Sequence, residues 1–338
     1  MSAFSKRSLI ALAAGLIAAG TAVGAQAQSR ITIGTNPAGT MYFVVGGGIS
    51  KLLSDKLDVK ATAQPYAGSS VYLPLVQSGE VTMGFSSTID SGMAYGGVGP
   101  YEKGGALKGL RAVTQLWPLP YAFFAKASSG MKSVSDLKGR KVAVNFKANA
   151  SLRRANRAML LAGGVDPDKD VTAITVSGLP EGYKGVTEGR FEAAATALAI
   201  PLARKANASI PGGIVILDVS GKNATTDFIS KQMPGLYITK SKPSKNKPGV
   251  EKEISVVGFD IFLVIGKDVS EERAYEITKT IHQNWGDLQE KYRVLKRNSV
   301  NKLASPTNTI PYHPGAVRYY KEAGLWTAAN DAREKALK

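Results

Sequence analysis

Cysteine is absent from the 338-residue chain, which removes disulfides, thiolate metal sites and cysteine nucleophiles together. Stability therefore has to come from packing. Histidine is nearly as scarce. Only His282 and His313 occur, one in a run that reads as helix and one in a His-Pro-Gly turn, and neither has the spacing of a metal site. No GxSxG elbow, no GxGxxG opening a helix and no GxxxxGK[ST] loop is present, so only a catalytic set dispersed along the chain would support an enzyme. Binding without catalysis, and without metal or cofactor, is the expectation. Acidic residues are short as well, with 26 Asp and Glu against 43 Lys and Arg and a net charge of +17. Such a field favours anionic partners. The densest lysine stretch, 240–252, is interleaved with Pro243, Ser244, Asn246, Pro248 and Gly249 and reads as an exposed hairpin or loop tip. RNP-like aromatic runs and zinc-finger spacing are missing, which argues against nucleic acid.

The one long apolar run lies at the start. Lys6 and Arg7 precede Leu9 to Val23, and a small-x-small site follows at Ala25, Gln26 and Ala27. This is the pattern of a secretory signal peptide, residues 1–27, cleaved after Ala27 so that the mature chain begins at Gln28 in the periplasm. An uncleaved anchor is the alternative, since the run approaches the about 20 residues of a bilayer span. Nothing later in the chain approaches that length.

Past the leader, extended and helical patterns alternate. Ile31 to Gly34 reads as a strand, Thr35 to Thr40 as a turn, and a helix runs to Leu53; Val59 to Ala63, a helix to Gln77 and Val81 to Phe85 repeat the order. Alternation of this kind gives an α/β fold with a parallel sheet. The run Leu110 to Ala127 is long for one strand and holds Pro118 and Pro120, so a broken crossover between two lobes is expected there. A second unit follows: strand Lys141 to Asn145, helix Ala150 to Ala162, strand Val171 to Val176 and helix Tyr183 to Glu188. Ile254 to Ile265 reads as the returning strand, and Ser270 with Glu271 and Glu272 opens a helix through Leu288. The expected lobes are residues 28–117 with 258–338, and 118–257. Two crossings between them make a hinge, and a ligand caught between the lobes favours the closed form.

Several segments together carry a family likeness: ITIGTNPAGTMYFVVGGGISKLL, AQPYAGSSVYLPLVQSGEVTMGF, SVSDLKGRKVAV, EGRFEAAATAL and PYHPGAVRYYKEAGLW. In this order they resemble the TAXI branch of solute receptors for tripartite ATP-independent periplasmic (TRAP) transporters. The resemblance implies a type II periplasmic-binding-protein fold, two α/β lobes joined by a two-strand hinge around a central ligand cleft. It also implies a carboxylate-type small organic anion as ligand and an integral-membrane TRAP permease as partner, with the receptor acting as a monomer. A periplasmic sensor that presents its closed form to a receptor kinase is the alternative. Gly39, Thr40 and Tyr42 match the family's glycine-rich first loop, Ser69 its serine after the second strand, Thr88 a polar cleft position, and Asn149 and Ser151 the polar loop of the second lobe. Ser87 stands where Gln is common and Tyr72 where Asn is common. Asn145-Phe146-Lys147-Ala148 followed by Leu152 and Arg153 replaces a Gly/Pro-rich turn with its arginine.

Each candidate also has a plain structural role. Thr40 and Ser69 each precede a predicted helix and could simply cap it. Tyr42 and Trp117 could be core aromatics or cleft lining. Arg153, Arg154 and Arg157 share one helix and read as a solvated face. Of these, Arg153 lies closest to the cleft loop and is the candidate carboxylate clamp, with Lys147 as alternative.

Overall fold

In the computed structural model, residues 30–38, 40–147 and 149–337 are described. The expected signal peptide falls outside them, as does Gly39. The first half of the fold is built as the alternation suggests. Strand β1 (Arg30–Thr35) leads into helix α1 (Met41–Leu57), then β2 (Lys60–Pro65), α2 (Ser69–Ser78), β3 (Met83–Ser87) and α3 (Thr88–Gly96). β1 pairs in parallel with both β2 and β3. Its inward positions Ile31 and Ile33 are buried, as an alternating strand requires.

Strand β4 (Leu110–Lys126) leaves this half. The second half follows with β5 (Lys141–Phe146), α4 (Ala150–Ala162), β6 (Thr172–Val176), α5 (Leu179–Glu188), β7 (Ala193–Ala197), α6 (Pro201–Ser209), β8 (Ile214–Ile216), α7 (Thr226–Gln232) and β9 (Tyr237–Ser241). Strand β10 (Ile254–Gly266) returns, and α8 (Glu271–Gln283), α9 (Trp285–Lys291), α10 (Pro314–Glu322) and α11 (Ala328–Ala336) complete the described chain. The strand order is β2-β1-β3-β10-β4-β7-β5-β6, with β8 on β4 and β9 on β10. β5 is parallel to β6 and β7. β4 and β10 run antiparallel side by side from Leu110 and Gly266 to Tyr121 and Val257 and extend into both halves. Two α/β lobes joined by two long strands are the expected fold class.

Two sequence expectations are corrected. The stretch from 110 is not broken at its prolines. It is one strand of 17 residues, with Pro118 opposite Asp260 and Pro120 opposite Gly258. The Pro120 carbonyl accepts from Leu198 N at 3.0 Å, on the edge that β7 borders. Along a strand, residues two apart face the same edge, so both missing N–H groups point away from β10 and its ladder loses nothing. The helix expected through Leu288 also divides, at Asn284, whose side chain turns back to donate to Thr280 O at 2.8 Å. The lysine-rich stretch does form a hairpin connection, between β9 and β10. Among the described residues no helix is long and apolar enough to cross a membrane.

Candidate ligand cleft

The carboxyl ends of β1, β2 and β3 lie at one sheet edge, where open α/β sheets gather ligands, and α4 of the other half comes against α3 there. Tyr42, in the first turn of α1, stacks on Phe85 at 5.2 Å and meets Trp117 edge-on at 5.9 Å. Trp117 is 2% exposed and forms the floor beneath the half-buried Tyr42. Burial pushes the Tyr42 phenol well above its ordinary value, with the Asp90 charge adding to the rise.

Asp90 was not among the residues expected from the sequence. It sits in the first turn of α3, where Ser87 is the N-cap: the Asp90 N–H donates to Ser87 Oγ at 3.0 Å, and that hydroxyl donates to Asp90 Oδ2 at 3.1 Å. Burial pushes its carboxyl up, while the hydroxyls of Ser151, Ser87 and Ser69 pull the other way. Of these, Ser87 at the start of α3 hydrogen-bonds the carboxylate directly, and the Ser151 hydroxyl on α4 donates to Asn149 Oδ1. The phenols of Tyr72 and Tyr101 also feel its charge after their own burial. The pattern Ser-x-x-Asp at 87–90 was visible as a capping signal, but nothing local in it indicates burial.

The caps fall differently from the sequence reading. Thr40 does cap α1, accepting from Phe43 N at 3.4 Å. Ser69 caps nothing: the N-cap of α2 is Gly68, which makes no side-chain cap bond, and Ser69 is the first helical residue. Asn149 caps α4 through Oδ1, which accepts from Leu152 N at 2.9 Å and from Ser151 Oγ at 2.7 Å.

The structure therefore brings Tyr42, Trp117, Ser69, Ser87 and Ser151 to one place, with Asn149 beside them. Thr88 points elsewhere. It is 1% exposed, its hydroxyl donates to Gly235 O at 2.8 Å and accepts from Asp260 N at 3.2 Å, and its carbonyl accepts from Thr309 Oγ1 at 2.6 Å. That network ties the joint between the halves. Asp260 belongs to it, accepting from Tyr237 OH at 2.6 Å and from Thr307, and burial pushes its carboxyl up. Arg153 and Lys147 are exposed. Arg157 pairs with Asp168, and Arg154 reaches Glu102 at 3.8 Å across the cleft rim. A rim pair this exposed contributes little. Among the described residues no His, Asp or Glu cluster could hold a metal ion.

The profile of the NMT1-like family matches residues 33–324. Among solved structures, XAC2383 from Xanthomonas citri bound to ATP aligns with a TM-score of 0.50 at 10% identity, covering 92% of this chain and 100% of that one. PhnD1 from Prochlorococcus marinus in complex with methylphosphonate aligns with 0.48 at 13% identity, covering 80% and 88%. The periplasmic aliphatic sulphonate binding protein SsuA from Escherichia coli gives 0.47 at 15% identity, covering 90% and 91%. At such identities the likeness concerns the fold alone.

Proposed function

The chain belongs to the NMT1-like family, and on that footing we propose that it is an extracytoplasmic solute receptor of the TAXI type. It captures a small carboxylate-bearing solute between its lobes and delivers it to a TRAP-type permease, binding without catalysis. Its lobes are residues 28–117 with 258–338, and 118–257. One observation carries the reading: at the carboxyl ends of the first-lobe strands, where Tyr42, Phe85 and Trp117 stack together, the start of α4 from the other half comes against α3. Gly68 leaves the first turn of α2 without a side-chain cap, and amides so placed, with the helix dipole behind them, seat an anion. The basic balance of the chain draws anions toward the molecule.

Mass spectrometry of the molecules released when the purified protein is denatured identifies the solute. Adding it back should compact the protein in small-angle scattering and stabilise it, by about 2.7 kcal/mol at a hundredfold excess over Kd. Unchanged scattering at saturation would remove the capture mechanism. Ser69→Ala should weaken binding roughly ten- to a hundredfold, the worth of about 1.5–3 kcal/mol for a hydrogen bond to a charged group. Its melting temperature should stay near wild type, because Ser69 is not a cap. Lost stability with unchanged affinity would move Ser69 out of the site.

A further inference from the structure

The two long strands are not the whole link between the halves. The segment that follows α7, residues 233–237, belongs with the second half, since α7 packs on α4 and leads into β9. It meets the first half at Gly235. That residue has φ +95°, and a Cβ on it would stand 2.7 Å from Thr88 C and 2.8 Å from Thr88 O, so two backbones touch where only glycine permits it. Hydroxyls hold them there. Thr88 Oγ1 donates to Gly235 O at 2.8 Å, and Thr309 Oγ1 donates to Thr88 O at 2.6 Å. The loop 305–309 is itself fixed to the first half, with Tyr312 OH donating to Ser305 O at 2.9 Å and Asn308 Nδ2 to Glu334 Oε1 at 3.0 Å.

Asp260 stands at the centre of this joint, on β10 opposite Pro118, and is 1% exposed. Its two oxygens go to different halves. Oδ1 accepts from Tyr237 OH at 2.6 Å, on the second half, and Oδ2 accepts from Thr307 Oγ1, on the first. Its own N–H donates to Thr88 Oγ1 at 3.2 Å. The groups that oppose the effect of burial on its carboxyl are the side chains of Thr307, Tyr237 and Gln115, none of them charged. A carboxylate withdrawn from water depends on such bonds, and hydrogen bonds to an ionised acceptor are the strong kind. A rotation of the lobes about β4 and β10 changes the separation of Tyr237 and Thr307, and one carboxylate can follow only one of them.

We propose that Asp260 is a positioning residue for capture, a latch that spans the hinge with one carboxylate oxygen on each lobe and holds the lobes together. The inference rests on the capture reading above and deepens it. The arrangement so held has the lobes drawn in, because α4 lies against α3 and Arg154 reaches Glu102 across the rim. Thr88 carries the constraint to the cleft, as the first residue of α3 directly after the Ser87 cap. Tyr237 and Thr307 act through the same carboxylate, so losing either one opens the link and losing both adds little.

The absence of cysteine makes the test direct. Spin labels on Lys103→Cys and Lys184→Cys, exposed positions on the first and second half, report the separation of the lobes by pulsed electron resonance with no other thiol to label. In the ligand-free protein, Tyr237→Phe and Thr307→Val should each raise the ratio of long to short separations about tenfold, the worth of one hydrogen bond to a charged group. The double variant should match the singles, and Thr307→Ser, which keeps the hydroxyl, should match wild type. A lower melting temperature with separations as in wild type marks a merely structural contact and would overturn the inference. Shifts that add in the double variant would overturn it as well, because two independent contacts would then be at work. The solute released on denaturation decides the capture reading separately. It should draw wild type toward the short separation; if it does so while the ligand-free variants match wild type, capture stands and the latch falls. If it draws nothing in, capture falls, and the ligand-free separations still decide the latch. Should Tyr237→Phe not fold, the comparison of Thr307→Val with Thr307→Ser carries the test, Thr307 being only half-buried.

Discussion

Gly315→Ala is expected to destabilise the protein by about 3 kcal/mol or more, toward the upper end of what overpacking costs. Gly315 stands in the first turn of α10 where it crosses α8. A Cβ there would lie 2.1 Å from Glu271 O and 2.7 Å from Tyr275 N. Both are backbone atoms of α8, so no side chain can swing aside and the helices have to separate. The buried Ala274, Ile277 and Ala316 would be disturbed with them. The local geometry is fixed further by His313, whose Nδ1 accepts from Gly315 N at 3.2 Å while Nε2 lies 3.0 Å from Val269 O. For a chain of this size, with an unfolding entropy of about 2.1 cal/mol/K per residue, the melting temperature should fall by about 4–5 °C. A thermal unfolding curve matching wild type would show that α8 yields at little cost.

Trp117→Ala should have a comparable or larger effect, about 3–5 kcal/mol, because it empties a large buried site. Trp117 is 2% exposed and packs between Tyr42, Phe85 and β10. Its loss would also release the edge contact that orients Tyr42, so weaker ligand binding should follow as a secondary effect. Trp117→Phe keeps an aromatic floor and should recover most of the stability. Denaturant unfolding and calorimetry on both variants check this. Unchanged stability with abolished binding in the alanine variant would instead make Trp117 a wall that touches the solute directly.

Much of the fold could be read in the sequence where the signal is local. Helix α4 occupies Ala150–Ala162 as expected, because its apolar period is clear and Gly163-Gly164 ends it. Strand β4 was misread because the sequence shows Pro118 and Pro120 but not which edge their missing N–H groups face. That depends on β7 and β10, far away in the chain. The site divides in the same way. Ser69 was legible as a hydroxyl before a predicted helix and Ser87 and Ser151 only through the family resemblance, while Thr88 directly follows Ser87 and still turns to Gly235 and Thr309, 147 and 221 residues further on. Asp90 went unread, because a Ser-x-x-Asp pattern marks any helix start and says nothing of its neighbours.

The place of β10 in the sheet bears on the order in which the protein can fold. It lies between β3 and β4 and pairs with both, yet it is the last strand made. Until residues 254–266 exist, β3 has an open edge, and the first lobe consists of three parallel strands that lack their central neighbour. Contacts of such sequence separation make assembly slow, because chain closure has to precede the gain from pairing. A nascent chain would therefore stay unfinished through most of its synthesis, with an unpaired edge that a chaperone could hold. The same strand that completes the first lobe also joins the two lobes, so the sheet and the hinge form in a single late step.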